Sequence, residues 1–188
     1  MHARILLLLL ALTLVGCQTG VATEGGAGFI AGAGTVDLDP HERSPAPAVQ
    51  GVTLEGDPLA LSDLDGIVVV NFWASWCGPC AAEAPDLVAT HDRYADRGVS
   101  LLGVNVRDSQ TNARSFERDH AKPYPSLFDE DQSIAAQFGG IGAAALPTTV
   151  LIDTDGNVAA RLFGQVTADA LAARLDALLA EADRQDEP

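Results

Sequence analysis

Two cysteines, Cys77 and Cys80, stand two residues apart within FWASWCGPCAAEAP, Phe72 to Pro85. A pair at this spacing has four chemical uses. A zinc site needs four ligands, but the chain has no second Cys pair, and His2, His41, His91 and His120 show no ligand spacing. Covalent haem attachment requires a histidine directly after the second cysteine; that position is Ala81. A structural staple closing so small a loop would remove little unfolded-chain entropy. The remaining use, reversible disulfide exchange, accounts for the surroundings as well as the pair.

Disulfide exchange proceeds through a thiolate. A thiolate is stabilised where a strand delivers the chain to a helix N-terminus, because the first N–H groups are unpaired and the helix dipole is positive there. The residues before and after the pair meet that requirement. Ile67 to Trp73, IVVVNFW, is a continuous apolar run of the kind that is buried on both faces of a sheet. The residues after Cys80 follow helical spacing as far as Gly98, with Pro85 expected to kink the helix. Cys77 is thus expected to be the exposed nucleophile and Cys80, about one turn further on, the resolving thiol. Pro79 suits the first turn, where a missing N–H is no loss. Gly78 leaves room for a substrate to approach.

The remaining elements follow in order. VQGVTLEGDPLALSDLDG reads as two short strands around a turn at Gly56-Asp57. Val99 to Val106 is a second buried strand, TNARSFERDH a short amphipathic helix, and PYPSLFD an extended segment. QSIAAQFG is helical, and LPTTVLID with VAARLFG forms an antiparallel hairpin across DTDGN. TADALAARLDALLAEAD closes the domain as an amphipathic helix with Thr167 as N-cap. Alternating strands and helices imply parallel pairing and right-handed crossovers. The expected fold class is α/β, a central mixed β-sheet flanked by helices, with an N-terminal hairpin extension and an insert in the middle.

The chain has 188 residues, 11 basic and 26 acidic side chains and a net charge of −15. That acidic excess argues against nucleic acid as a partner. The first residues carry Arg4 and then an apolar run from Ile5 to Val15, too short for a membrane span of roughly 20 residues and shaped like a secretory signal. LVGC, Leu14 to Cys17, resembles the bacterial lipoprotein box. This resemblance implies cleavage before Cys17 and a lipid on its thiol, which would anchor the protein and leave Cys77 and Cys80 only each other. The expected organisation is a lipoprotein signal at 1–16, a lipidated flexible tether at 17–45 with a reach of roughly 30 Å, and the folded domain at 46–188. The location is extracytoplasmic, at the bacterial cell membrane.

From about Ala46 to Ala182 the chain resembles the thioredoxin-like superfamily, and within it the membrane-anchored TlpA/ResA type of thiol-disulfide oxidoreductase. NFWASWCGPC, the glutamate and proline of AAEAP, the stretch after GVNV, and LPTTVLID carry the resemblance. It implies a cis peptide before Pro147 facing the cysteines, a substrate groove shaped by Pro147, and main-chain hydrogen bonds to substrate from Leu146. Trp76 is expected to shield the pair and touch substrate, and Trp73 to pack. Thioredoxins proper carry a buried Asp where this chain has Asn71, which takes no proton. Glu83 is the candidate replacement, part-buried one turn beyond Cys80 and able to exchange protons with the thiols.

The implied activity is a protein-disulfide reductase acting on extracytoplasmic proteins, apocytochromes c among them. It would be recharged by a membrane thiol electron donor and act as a monomer, with neither cofactor nor metal. Three other readings are weighed: a thiol oxidase in secreted-protein folding, a peroxidase of the peroxiredoxin type, and a lipoprotein that only binds a partner.

Overall fold

The computed structural model describes residues 34–141 and 143–185. Strands are β1 (Gly34–Asp37), β2 (Gln50–Val52), β3 (Pro58–Ala60), β4 (Ile67–Trp73), β5 (Val99–Val106), β6 (Ser126–Asp129), β7 (Thr148–Ile152) and β8 (Val158–Phe163). Helices are α1 (Gly78–Tyr94), α2 (Gln110–Asp119), α3 (Ser133–Gln137) and α4 (Ala168–Gln185). Six strands form one sheet in the order β1-β8-β7-β4-β5-β6, and β2 and β3 pair separately as an antiparallel hairpin.

The sheet is mixed because its connections differ. Helical crossovers leave β4, β5 and β6 parallel, whereas the longer connection through α3 brings β7 back antiparallel beside β4, and a tight turn pairs β7 antiparallel with β8. All seven residues of β4 are buried, the six apolar ones and Asn71 with them. Alternate side chains leave β4 on opposite faces. Val68, Val70 and Phe72 join Ile134 and Phe138 of the α3 region and Leu61 beside the hairpin. Ile67 and Val69 join Leu87 and Tyr94 of α1 and Leu171 and Leu175 of α4. Asn71 and Trp73 continue that second series, so both side chains point towards α1. Thr167 caps α4, its Oγ1 accepting from the Ala170 N–H at 3.2 Å.

One boundary differs from expectation. Residues 34–45, placed by sequence in the tether, lie on the folded body. β1 pairs with β8 along the sheet edge, from Gly34 opposite Phe163 to Asp37 opposite Ala160. Arg43, its side chain 8% exposed, donates to Asp153 at 3.0 Å and to Glu181 at 2.8 and 2.9 Å. The physical reason is plain. All four β1 residues are exposed, so the strand is held by backbone bonds and has no apolar period. The Arg43 partners are 110 and 138 residues away in sequence. The rest of the expected tether, the signal segment and Cys17 lie outside the described residues.

Candidate functional site

β4 ends at Trp73, and after Ala74, Ser75 and Trp76 the chain enters α1 with Cys77 as N-cap. Cys77 and Cys80 are disulfide-bonded, and the Cys80 N–H donates to the Cys77 sulfur at 3.2 Å. The same N–H would face a Cys77 thiolate after reduction, together with the positive end of a 17-residue helix. Gly78 and Pro79 are exposed beside the pair. Cys77 and Cys80 are 6% and 2% exposed, so in the disulfide form Cys77, expected from the sequence to be exposed, is buried because its sulfur is bonded to Cys80 and packed in the cluster with Trp73.

The loop before Cys77 is clamped by Asp108, two residues beyond the end of β5. Its buried carboxylate accepts from the Ser75 N–H at 2.6 Å, the Ser75 hydroxyl at 2.8 Å, the Asn105 amide at 3.1 Å and the Ser109 N–H at 2.8 Å. Trp76 is 54% exposed, and its indole N–H donates to the Arg107 carbonyl at 2.9 Å, so the ring stands at the rim of the pair. Trp73 is buried, donates to the Ser126 hydroxyl at 3.3 Å and lies 4.7 Å from the Phe116 ring. It packs in one cluster with Leu54, Ala84, Phe116 and both cysteines.

Leu146 packs partly buried against this cysteine cluster, and the Leu146–Pro147 peptide is cis. The Pro147 carbonyl accepts from the Gly164 N–H at 2.9 Å, which ties it to the end of β8.

The buried face of α1 carries Cys80, Glu83, Ala84 and Leu87 in succession, the i, i+3, i+4, i+7 stripe of a core-facing helix. Glu83 therefore occupies a core position and is fully buried. One carboxylate oxygen accepts from the Asn71 amide at 2.8 Å and the other from the Val166 N–H at 3.0 Å. Asn71 also donates to Thr149 at 3.2 Å. Burial pushes the Glu83 carboxyl up to about 7. The Val166 and Asn71 donors and the Lys122 ammonium oppose the rise without cancelling it. An acid poised there gains and loses a proton at neutral pH, as proton exchange with a thiol requires.

Sequence reasoning did not single out Asp108 or Lys122. The signal available for Asp108 was its place directly before Ser109, the N-cap of α2. Lys122 carried no local pattern; its contacts come from β4, β6 and α2. Among the described residues no helix is long and apolar enough to cross a membrane.

Known proteins are similar to this chain. The thiol-disulfide oxidoreductase ResA of Bacillus thuringiensis is 32% identical over 127 residues, covering 67% of this chain and 72% of its own. The thiol:disulfide interchange protein HelX of Rhodobacter capsulatus is 35% identical over 139 residues, covering 72% of this chain and 75% of its own. Among solved structures, a DsbF homologue from Corynebacterium diphtheriae matches with a TM-score of 0.72 at 37% identity, over 77% of this chain and 92% of that one. A secreted thiol-disulfide isomerase from Corynebacterium glutamicum matches with a TM-score of 0.72 at 33% identity, over 79% and 92%. The family model that matches residues 43–161 is that of the AhpC/TSA family. With that match spanning more than half of its length, and with a cysteine pair at a helix N-terminus backed by a buried acid, the chain belongs to the AhpC/TSA family.

Proposed function

We propose that this thiol-disulfide oxidoreductase reduces disulfides of proteins outside the cytoplasm, held to the bacterial cell membrane by a lipid on Cys17. The single observation that carries the reading is the Cys77–Cys80 pair at the start of α1 with Glu83 buried behind it.

The reaction starts from the dithiol. The Cys77 thiolate attacks one sulfur of a substrate disulfide; a mixed disulfide forms and the first substrate thiolate leaves and takes a proton. Glu83, as carboxylate, removes the proton of Cys80. The Cys80 thiolate then attacks Cys77 Sγ, the mixed disulfide breaks, and the second substrate thiol departs. Two electrons have passed from the cysteine pair to the substrate, and a membrane thiol donor must return them. Trp76 covers the exposed side of the pair, Pro147 shapes the facing wall, and Leu146 offers main-chain groups along it. Apocytochromes before haem attachment fit this substrate class.

The test is the reduction potential of the Cys77–Cys80 couple together with trapping by Cys80→Ser. A potential near roughly −270 mV, with extracytoplasmic proteins captured on Cys77, supports the reductase. A potential near roughly −120 mV overturns that direction. It would establish the second reading, a thiol oxidase assisting disulfide formation, which the likeness to a secreted thiol-disulfide isomerase favours. Loss of membrane association in Cys17→Ala tests the anchor, and an unchanged membrane fraction removes it.

A further inference from the structure

β1 buries none of its four residues, so the core does not account for it. What β1 changes is the point at which the chain leaves the folded body. Ser44 and Pro45 lie beside Val158 and Asn157; the Ser44 carbonyl accepts from the Val158 N–H at 2.9 Å, and Pro45 bridges Asn157. Arg43, next to them, holds Asp153 and Glu181. Val158 opens β8 opposite Ile152, the last residue of β7, and Ile152 stands opposite Val68 near the start of β4. That is the end of the sheet away from the cysteines.

Followed towards the N-terminus, the chain then turns through Pro40–Glu42 and runs back along β8. Leu38 donates to the Ala159 carbonyl at 2.9 Å, and Asp37 lies opposite Ala160 and Gly34 opposite Phe163. Arg174 of α4 clasps the strand, donating to the two Asp37 carboxylate oxygens at 2.7 and 3.1 Å. Gly34, Phe163, Thr148 and Phe72 stand in one row across the sheet. At about 4.8 Å per strand, Gly34 is about 14 Å from Phe72. The same row adjoins Trp73, Pro147 and Gly164. β1 thus moves the exit of the chain along the length of β8, about 17 Å, from the far end of the sheet to the redox end.

We propose that residues 34–45 are an orienting strap, which turns Cys77 towards the membrane so that it meets a dithiol presented at the bilayer surface by a membrane-embedded protein. This rests on the anchor at Cys17 stated above and holds for either direction of net exchange. The concentration of Cys77 at the bilayer surface is set by the linker together with the span from the exit point to the sulfur. Residues 17–33 reach at most about 60 Å. Exit at Gly34 keeps the second span short, whereas exit at Ser44 would add the length of the sheet. Charge does not supply the orientation, because a body of net charge −15 is not drawn to an anionic lipid surface. The base of the strap is fixed by Arg43 and its middle by Arg174, so the two ends of the sheet are not exchanged by rotation about a loose joint.

The experiment uses the full-length lipidated protein, reduced, on phosphatidylcholine vesicles that carry a phosphatidylethanolamine whose head group ends in a pyridyl disulfide. The Cys77 thiolate attacks the lipid-side sulfur and thiopyridone leaves. The Cys80 thiolate then attacks Cys77 Sγ, and the lipid thiolate departs and takes a proton. Two electrons pass from the cysteine pair to the probe, and released thiopyridone reports the rate. Dipyridyl disulfide in solution is the control, and co-flotation with the vesicles reads the anchor. The variant is Val36→Pro. The Leu38–Ala159 bond sets the alternation of the ladder, which directs the Val36 N–H at Arg161, and proline removes that donor. Val36→Pro should float as the parent does and react with the soluble probe at the parent rate, while its rate on the lipid-borne probe falls by about tenfold. Equal rates for variant and parent on both probes overturn the strap and leave the anchor. A parent that does not co-float overturns the anchor and the strap with it. A second measurement needs no substitution. Both tryptophans of the chain, Trp73 and Trp76, lie at the redox end. Their emission in the parent should pass energy to a dansyl head-group lipid in the same vesicles. Absence of that transfer from a protein that co-floats overturns the proposal independently of how any variant folds.

Discussion

Glu83→Gln should change how the stability of the oxidised protein depends on pH. In the folded chain burial raises the Glu83 carboxyl from 4.5 to about 7. The unfolded chain therefore ionises first as pH rises. Protonated Glu83 favours the fold, and that contribution is complete below pH 4.5. It is lost progressively as pH climbs from 4.5 through about 7. At about 1.4 kcal/mol per pH unit the gap corresponds to about 3 kcal/mol. Glutamine keeps the shape and does not ionise. It does place an amide nitrogen against either the Asn71 amide or the Val166 N–H, which both donate to Glu83. A flip of Asn71 relieves the first arrangement. Whatever that rearrangement costs is independent of pH, so it cancels when two pH values are compared. Keeping Cys77 and Cys80 oxidised removes their titration from the measurement. Urea unfolding at pH 4.5 and pH 8.5 supplies the test. The parent should lose about 3 kcal/mol more than the variant between these two values. Parallel stability profiles for the two proteins would refute the assignment of Glu83 as a buried acid titrating near neutrality.

Three further outcomes follow from the site. Asp108→Asn leaves one amide oxygen where a carboxylate served four donors; urea unfolding should show a loss of about 1–3 kcal/mol, and thiol exchange should slow as the Ser75 loop loosens. Gly103→Ala drives a methyl group into the Ser126 hydroxyl and to 2.9 Å from Trp73 Nε1; a loss of about 1–3 kcal/mol is expected in the same assay. Trp76→Ala removes a side chain that is more than half exposed; stability should move by less than about 0.5 kcal/mol, while kcat/KM falls for a protein disulfide more than for oxidised glutathione.

Elements whose signal is local were legible in the sequence. IVVVNFW announces β4 because burial on both faces favours a nearly continuous apolar run, and all seven of its residues are buried. CGPC placed after such a strand announces a helix start, and Cys77 is the N-cap. The hairpins declare themselves through turn residues, and α4 through its amphipathic spacing and Thr167. β1 was illegible because an exposed edge strand is held by backbone pairing, which leaves no mark on side-chain type.

The cysteine pair, its place at the end of a buried strand and the acid one turn beyond it were thus set by residue order, because a strand, a loop and a helix turn are short-range structures. The environment of that acid was not. Glu83 meets Asn71 across 12 residues of chain and Val166 across 83. Burial, counter-charge and hydrogen bonding are sums over neighbours in space, and those neighbours exist only once the sheet has closed around α1. The chain's order therefore supplied the reacting groups, and the packing of distant segments decided the pH at which they react.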